Sequence, residues 1–408
     1  MSEQVAIDAL GTRGDGIARE PTTVFVPFAL PGERVTIERQ GGRGQLLSVD
    51  TASPERREAP CPHFGRCGGC DLQHLSDTLY AGFKRNLVVE ALRREGLSAD
   101  VAPLVPCAPN SRRRAVFTAV RAGPRVLFGF HEALSYRIAP IETCLVVVPE
   151  IVARLKRFER LATLLIDRKR ELRMTVTRTQ TGLDVAIEQT AKLTGDLRQA
   201  TIAWGAEDQA VARLSVDGET LIENRVPVID VAGTGVPFPP GSFLQAVVRA
   251  EDHMAELALA HLAPAKTVAD LFCGFGAFTL RLARRQAVHA AEFDAPALAA
   301  LDKARRGTSG LKPITTERRD LYRRPLTVKE LSKFDGVLFD PPRAGAEAQA
   351  RELAGSGVKR IAAVSCNPVT LARDAAILVG GGYRLLSVTP IDQFLWSHHV
   401  EAVALFER

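Results

Sequence analysis

Over residues 1–52 apolar and polar positions alternate in short runs: "VAIDALG", "TTVFVPFAL", "GERVTIERQ" and "RGQLLSV", each closed by glycine or proline. Period-two alternation marks strands with one buried face, and the turn residues between the runs leave no length for a helix. Four or five such strands in so short a stretch predict a small closed β-barrel. "SPERREAP" (53–60) is a linker by composition, and "SDTLYAGFKRNLVVEALRRE" (76–95) is a helical run. Residues 112–235 read as strand-rich with one helix at 149–162. From 243 onward helical and strand-length apolar runs alternate, which predicts a doubly wound sheet. The expected architecture is multidomain α/β: an OB-like barrel at 1–52, a central α+β domain at 53–240 and a Rossmann-like domain at 241–408.

A chain of 408 residues exceeds one ordinary core, in keeping with several domains. No apolar run approaches the ~18–20 residues that span a bilayer. The opening "MSEQVAIDAL" lacks the basic-then-apolar order of a signal peptide. A cytoplasmic protein with no membrane partner is expected. The net charge of +6 is unevenly spread: residues 61–190 carry 20 basic and 13 acidic side chains, whereas residues 1–60 carry 7 and 9. Most of the excess is arginine, whose planar fork suits phosphates and base edges. Charge alone fits either a nucleic-acid face or ordinary solubility.

The cysteines sharpen the choice. "CPHFGRCGGCDLQH" sets Cys61, Cys67 and Cys70 close together, and Cys144 in "PIETCLVV" is the natural fourth ligand. A tight thiolate triplet with a remote fourth cysteine fits a 4Fe–4S cluster, with Gly68 and Gly69 letting the backbone fold closely around it. Zinc competes for such a site, with His63 and His74 as alternative ligands. Cys107 reads as structural. A cluster there would act as a staple, holding "SRRRAVFTAVR" (111–121) against the same surface. As a strand, that segment places Arg112 and Arg114 on one face and Arg113 on the other. The three arginines are candidate RNA-backbone contacts or a solvated edge.

A second constellation lies at predicted strand ends. "TVADLFCGFGAF" (267–278) is a strand running into a Gly-x-Gly turn, with Thr279 where a dinucleotide fingerprint has its third glycine. Glu292 ends the next strand, Asp320 follows a third, and Asp340 ends a fourth before an abrupt double-proline turn. Carboxylates in series along one sheet edge, without a phosphate loop, suit a nucleoside that carries an ammonium and a sulfonium: S-adenosylmethionine.

Cys366 in "VKRIAAVSCNP" stands just past a fifth strand, at the edge where parallel sheets bind ligands. The last two strands, "YRLLSVTPI" and "VEAVALFER", should pair antiparallel, which returns Glu401 to that same edge. A thiol, a carboxylate and a methyl donor together solve one problem. Carbon 5 of uracil becomes nucleophilic only after a thiolate adds to carbon 6, and a base must then remove the carbon-5 proton. Cys366 and Glu401 fit those roles.

The barrel stretch, through "GDGIAR" and "VFVPFALPGERV", resembles the RNA-binding TRAM domain. Cluster spacing, "DLFCGFGAF", "DPPRAG", "SCNP" and "HHVEAVALF" together look like the iron–sulfur, TRAM-containing RNA uracil-5-methyltransferases that modify 23S ribosomal RNA. The resemblance implies a class I methyltransferase domain, onto which residues 74–104 pack. It implies S-adenosylmethionine contacts from Gln245, Phe272, Gly274, Glu292, Asp320 and Asp340, with Cys366 as nucleophile and Glu401 as base. Arg343 after the double proline joins Arg112, Arg113 and Arg114 as a candidate RNA contact. The T-loop uridine of transfer RNA is the nearest alternative substrate, and a non-catalytic RNA-binding iron–sulfur protein a more distant one. No protein partner is implied. The target base must be single-stranded or flipped out, with Phe128, Phe130 and Phe394 as stacking candidates or core. Two positions depart from the family pattern: Val247 and Ala277 replace its usual asparagines.

Overall fold

A computed structural model describes residues 2–19, 22–133 and 135–408. The N-terminal alternation forms a six-stranded sheet between Ser2–Ala6 and Arg43–Thr51. Its inward residues, among them Val5, Val24, Val26, Val35 and Ile37, make a small core of their own. The two outermost strands, Ser2–Ala6 and Ala9–Leu10, each pair on one side only.

The central region holds a seven-stranded sheet in which Arg114–Ala122 lies between Leu172–Thr179 and Arg125–His131. The helix read at 149–162 is a short turn, Pro149–Val152, followed by Leu155–Leu165. A further helix, Gly195–Glu207, escapes the sequence reading. It buries only Thr201, Trp204 and Gly205, so its apolar face is too sparse to print a 3.6-residue period.

The third sheet positions the chemistry. Its strands are β1 (Thr267–Leu271), β2 (Ala287–Glu292), β3 (Ile314–Arg318), β4 (Gly336–Phe339), β5 (Arg360–Ser365), β6 (Arg384–Ile391) and β7 (Glu401–Glu407). They lie in the order β3-β2-β1-β4-β5-β7-β6. The first five are parallel, and β7 runs antiparallel to both β5 and β6. The final strand is therefore inserted between its two predecessors, and β6 keeps the direction of the parallel set.

Helix α1 (Asp77–Arg94) starts at Ser76, whose hydroxyl accepts the Leu79 N–H. Its Val88, Ala91 and Leu92 share one core with Leu371, Ala375 and Leu378 of a helix that follows β5, Pro368–Gly380. The opposite interaction is polar. Lys84, fully buried, donates to Asp392 Oδ1 at 2.5 Å and to the carbonyls of Phe394 (2.8 Å) and His399 (2.7 Å). Tyr80 donates its hydroxyl to Asp392 Oδ2 at 2.6 Å and accepts the Trp396 N–H at 2.8 Å. The loop between β6 and β7 is thus held from below by α1. No described helix is long and apolar enough to cross a membrane.

Removing one partner of a buried pair strands the other charge, at a cost of about 3–5 kcal/mol. Lys84→Met is expected to lower the unfolding free energy by that amount, read by circular dichroism as a lower urea midpoint with an unchanged m-value.

Candidate active site

The chain leaves β1 through Phe272 at a φ of 60°, a left-handed conformation that strains any residue with a Cβ. Gly276, at 96°, is required twice over, because a Cβ there would come within 2.5 Å of Leu301. The turn delivers the Gly274 N–H to Glu292 Oε2 at 3.1 Å, while Oε1 accepts the N–H groups of Phe293 (2.7 Å) and Asp294 (2.9 Å). Thr279, at the missing-glycine position, donates its hydroxyl to Asp270 at 2.5 Å. Asp270 is fully buried beneath the turn and is pushed up to about 7 by that burial. It supports the loop and does not line the cavity.

A cavity of about 650 Å³ opens at the carboxyl edge of the third sheet. Gln245, Phe272, Gly274, Glu292, Asp320 and Asp340 all line it, as do Cys366 and Glu401. The pairing of β7 explains the last two. Ser365 sits opposite Ala402 and Ile391 opposite Glu401, so the residue that opens β7 lies beside the residue that follows β5. Asp320 accepts the Tyr322 N–H at 3.0 Å and Asp340 accepts an N–H of Gln245 at 2.8 Å.

These acids meet with little compensation. Glu401 is buried, and burial and then the charge of Asp340 push its carboxyl far above the usual range. Asp340 is pushed up as well, by burial first. Burial, Glu401 and Asp340 together hold the half-buried Cys366 thiol up at about 11, with Arg343 pulling the other way. What the sequence reading missed is Gln393, a buried amide bonded to both Glu401 and Gln245. An uncharged loop residue carries no periodic or compositional signal that could have flagged it.

The candidate RNA arginines divide. Arg112 and Arg114 line the cavity, and the Arg112 guanidinium lies over the Phe394 ring at 5.9 Å. Arg343 lines it too, with Nη2 3.3 Å from His399 Nδ1. Arg113 does not belong with them. It is buried, donating to Glu251 at 2.6 Å and to the Gln245 carbonyl at 3.0 Å, so its role is to anchor the Gln245 segment. Of the aromatic candidates, Phe128 is core, Phe130 stacks on Phe117 at 5.1 Å, and Phe394 alone reaches the cavity.

On its other side Cys366 faces a groove of about 1030 Å³. Arg13, Arg19 and Phe25 of the N-terminal region and Asn86, Glu90 and Arg94 of α1 border it, as do Glu55, Arg343 and His399.

Cys61, Cys67, Cys70 and Cys144 line a neighbouring cavity of about 370 Å³, which shares Arg112 and Phe394 with the first. Burial pushes Cys67, Cys70 and Cys144 up, and the neighbouring thiols add to this. Among the described residues no three His, Cys, Asp or Glu side chains converge closely enough to hold a single metal ion. His63 lines this cavity and accepts the Glu142 N–H at 3.1 Å, whereas His74 is buried outside its lining, packed against Phe28 and Phe64. Gly68 is also required by its protein neighbours. A Cβ there would meet the His131 carbonyl at 2.7 Å, so it makes room for neighbouring backbone.

A family model described as tRNA (Uracil-5-)-methyltransferase matches residues 212–408. An uncharacterized RNA methyltransferase of Rhizobium meliloti (strain 1021) is 52% identical and covers 99% of both chains. The 23S rRNA (uracil(1939)-C(5))-methyltransferase RlmD of Pectobacterium atrosepticum is 32% identical over 98% of this chain and 93% of its own. The chain belongs to the RNA uracil-5-methyltransferase family. The methyltransferase also shares its fold with a Pyrococcus abyssi tRNA (uracil-54, C5)-methyltransferase, at a TM-score of 0.76, 23% identity and 99% coverage of both chains. Of its two departures from the family pattern, Val247 is the N-cap of a helix, Val248–Leu262, and gives it no side-chain cap. Ala277 lines the large cavity, where it offers no polar group.

The raised Glu401 carboxyl has a consequence for the methyltransferase's stability. A buried acid with a folded pKa above its unfolded one holds a proton that the unfolded chain releases. Its favourable contribution is complete below 4.5 and is lost as pH rises through about 8. Glu401→Gln is therefore expected to stabilise the ligand-free protein at about pH 9 by about 1–2 kcal/mol, several degrees in Tm, with much less effect at about pH 5. Thermal melts across that range check it.

Proposed function

We propose that this enzyme transfers a methyl group from S-adenosylmethionine to carbon 5 of a uridine in 23S ribosomal RNA. One observation carries the reading: Cys366 and Glu401 meet, through the pairing of β7 with β5, in the cavity that the strand-end carboxylates line. That lining fits the donor, because Glu292, Asp320 and Asp340 favour a cation and Glu292 suits ribose hydroxyls. Gln245, Phe272 and Gly274 complete the set that would hold it. When bound, S-adenosylmethionine supplies an electrophilic methyl group on a sulfonium.

The chain's own residues do the rest. Cys366 Sγ adds to carbon 6 of the uracil, and the carbon 5–carbon 6 π electrons pass to oxygen 4 as an enolate. Carbon 5 then takes the methyl group, its electron pair forming the new bond while the old sulfur–methyl bond breaks toward sulfur. Glu401 removes the carbon-5 proton, the double bond re-forms, and Cys366 leaves as thiolate. The thiol at rest is protonated, held up by the acids around it. A cation in the cavity offsets those acids and favours the thiolate on binding.

The groove bordered by Arg13, Arg19 and Arg94 is the proposed RNA path, with the N-terminal sheet as a TRAM-like module. Arg112, Arg114 and Arg343 are the proposed contacts to the flipped nucleotide. The relative named for 23S rRNA is similar over nearly the whole chain, which supports that substrate. Transfer RNA is the second reading, favoured by the description of the family model. Mass mapping of methylated uridines in both RNAs from cells lacking the protein separates the two. Cys366→Ala is expected to abolish methylation and the covalent adduct with 5-fluorouridine RNA while leaving RNA binding nearly unchanged. Full activity in that variant would sink the thiol mechanism.

For the four-cysteine cavity the proposed occupant is a 4Fe–4S cluster that staples the loop at 61–70 to Cys144. Four cysteines lining one cavity, a tight triplet with one remote partner, offer one thiolate for each of four bridged irons. Anaerobically purified protein is expected to contain about four iron and four labile sulfide per chain. Cys70→Ser should lose both and melt at a lower temperature, and stoichiometric zinc in their place would overturn the assignment.

A further inference from the structure

Among the described residues no cationic side chain pairs with the buried carboxyl of Glu401. Among the described residues, its side chain has one hydrogen-bond partner, the Nε2 of Gln393 at 2.5 Å. Gln393 is itself 2% exposed, in the loop between β6 and β7, and every polar atom of its amide is engaged. Nε2 also donates to Gln245 Oε1 at 2.8 Å, and Oε1 accepts the Ala246 N–H at 3.1 Å. These partners fix the amide's sense, because a flip would set its carbonyl against both a carboxylate and another carbonyl. Gln245 in turn donates its Nε2 to Asp340 Oδ2 at 2.8 Å. The result is a directed chain, Glu401–Gln393–Gln245–Asp340, in which each acid receives one amide N–H. Two neutral amides thus separate two acids at the heart of the cavity.

We propose that Gln393 is a positioning residue for the base. It pins one oxygen of Glu401, leaves the other for the carbon-5 proton, and favours the ionised form that accepts it. The inference rests on Glu401 acting as that base. A hydrogen bond to the charged form of an acid stabilises that form. Here it works against burial and against Asp340. Besides Asp340, the titratable and charged groups that share the cavity with Glu401 are Cys366, the acids Glu292, Asp294 and Asp320, Tyr322, and the arginines Arg112, Arg114, Arg319 and Arg343. None of these arginines forms an ion pair with Glu401, so the amide is the donor whose loss the carboxylate registers.

Proton removal comes after methyl transfer, and this gives the test a specific signature. Gln393→Met and Gln393→Leu keep apolar bulk and lose the donor. With full-length enzyme, tritiated S-adenosylmethionine and the 23S rRNA transcript (or the tRNA, should mapping select it), both variants should still load a methyl group onto RNA. Release of the product should slow by about tenfold or more at neutral pH. A methylated, denaturant-stable enzyme–RNA adduct should accumulate, and turnover should recover as pH is raised toward about 9. An unchanged adduct level with a wild-type pH profile would overturn the assignment. So would an equal loss at every pH, or failure of both variants to fold, since each makes the amide a packing element. Wild-type, Cys366→Ala and Glu401→Gln enzymes run alongside keep the two claims apart. If Glu401→Gln does not trap the adduct, the proposed base fails. If it does and the Gln393 variants do not, only the positioning role fails.

Discussion

The insertion of β7 between β5 and β6 is the constraint on which the site depends. In a parallel sheet, loops after successive strands gather at one edge, and this brings Phe272, Glu292, Asp340 and Cys366 together. An antiparallel strand starts at the edge where the others finish, so it contributes its first residue, Glu401. Side chains alternate along a strand, and a slip of one residue in β7 would turn Glu401 to the other face of the sheet. The register is defended at the turn. Asp392 is gripped by Lys84 and Tyr80, and Val105 exchanges backbone hydrogen bonds with Pro390 and Asp392 at 2.9 Å each. The chain between the cysteine loop and the central sheet thus works as a clamp on the domain that follows it.

The electrostatics of the cavity run against stability. Glu401 and Asp340 are held by amides, and their pKa values rise because no cation offsets burial. Fully apolar replacements would make a more stable cavity, which is the usual relation between a reactive site and its scaffold. A cationic ligand reverses the balance, since it supplies the charge that the protein withholds. On the proposed mechanism the same event would favour the carboxylate of Glu401 and the thiolate of Cys366 together.

The cysteine cavity and the loop between β6 and β7 are mechanically one. The N–H groups of Asp71 and Leu72 both donate to the Trp396 carbonyl, at 2.8 and 3.0 Å, and Asp71 Oδ2 lies 2.6 Å from His398 Nδ1. Trp396 has a φ of 59°, a strained backbone for a side chain of that size. It is kept there by bonds from the cysteine loop on one side and from Tyr80 on the other. Ordering the four cysteines would therefore order the loop that carries Gln393 and Phe394.

This organisation also sets what could be read from residue order alone. Strand-end acids were legible because βα alternation fixes which edge each one reaches, and Cys366 with Glu401 followed from the short final connection. The arginine run was half legible. Alternation correctly separated Arg113 from Arg112 and Arg114, yet the strand begins only at Arg114, and just before it the Arg113 side chain turns to a buried Glu251. Assigning all three to RNA overlooked that a buried acid, distant in sequence, could claim one of them. Gln393 was out of reach for a deeper reason. Its importance lies in two partners, Gln245 and Glu401, that only the closed sheet brings within 2.8 Å of it. Charged groups announce themselves by the cost of burying them, whereas a neutral amide becomes informative only once its neighbours are known.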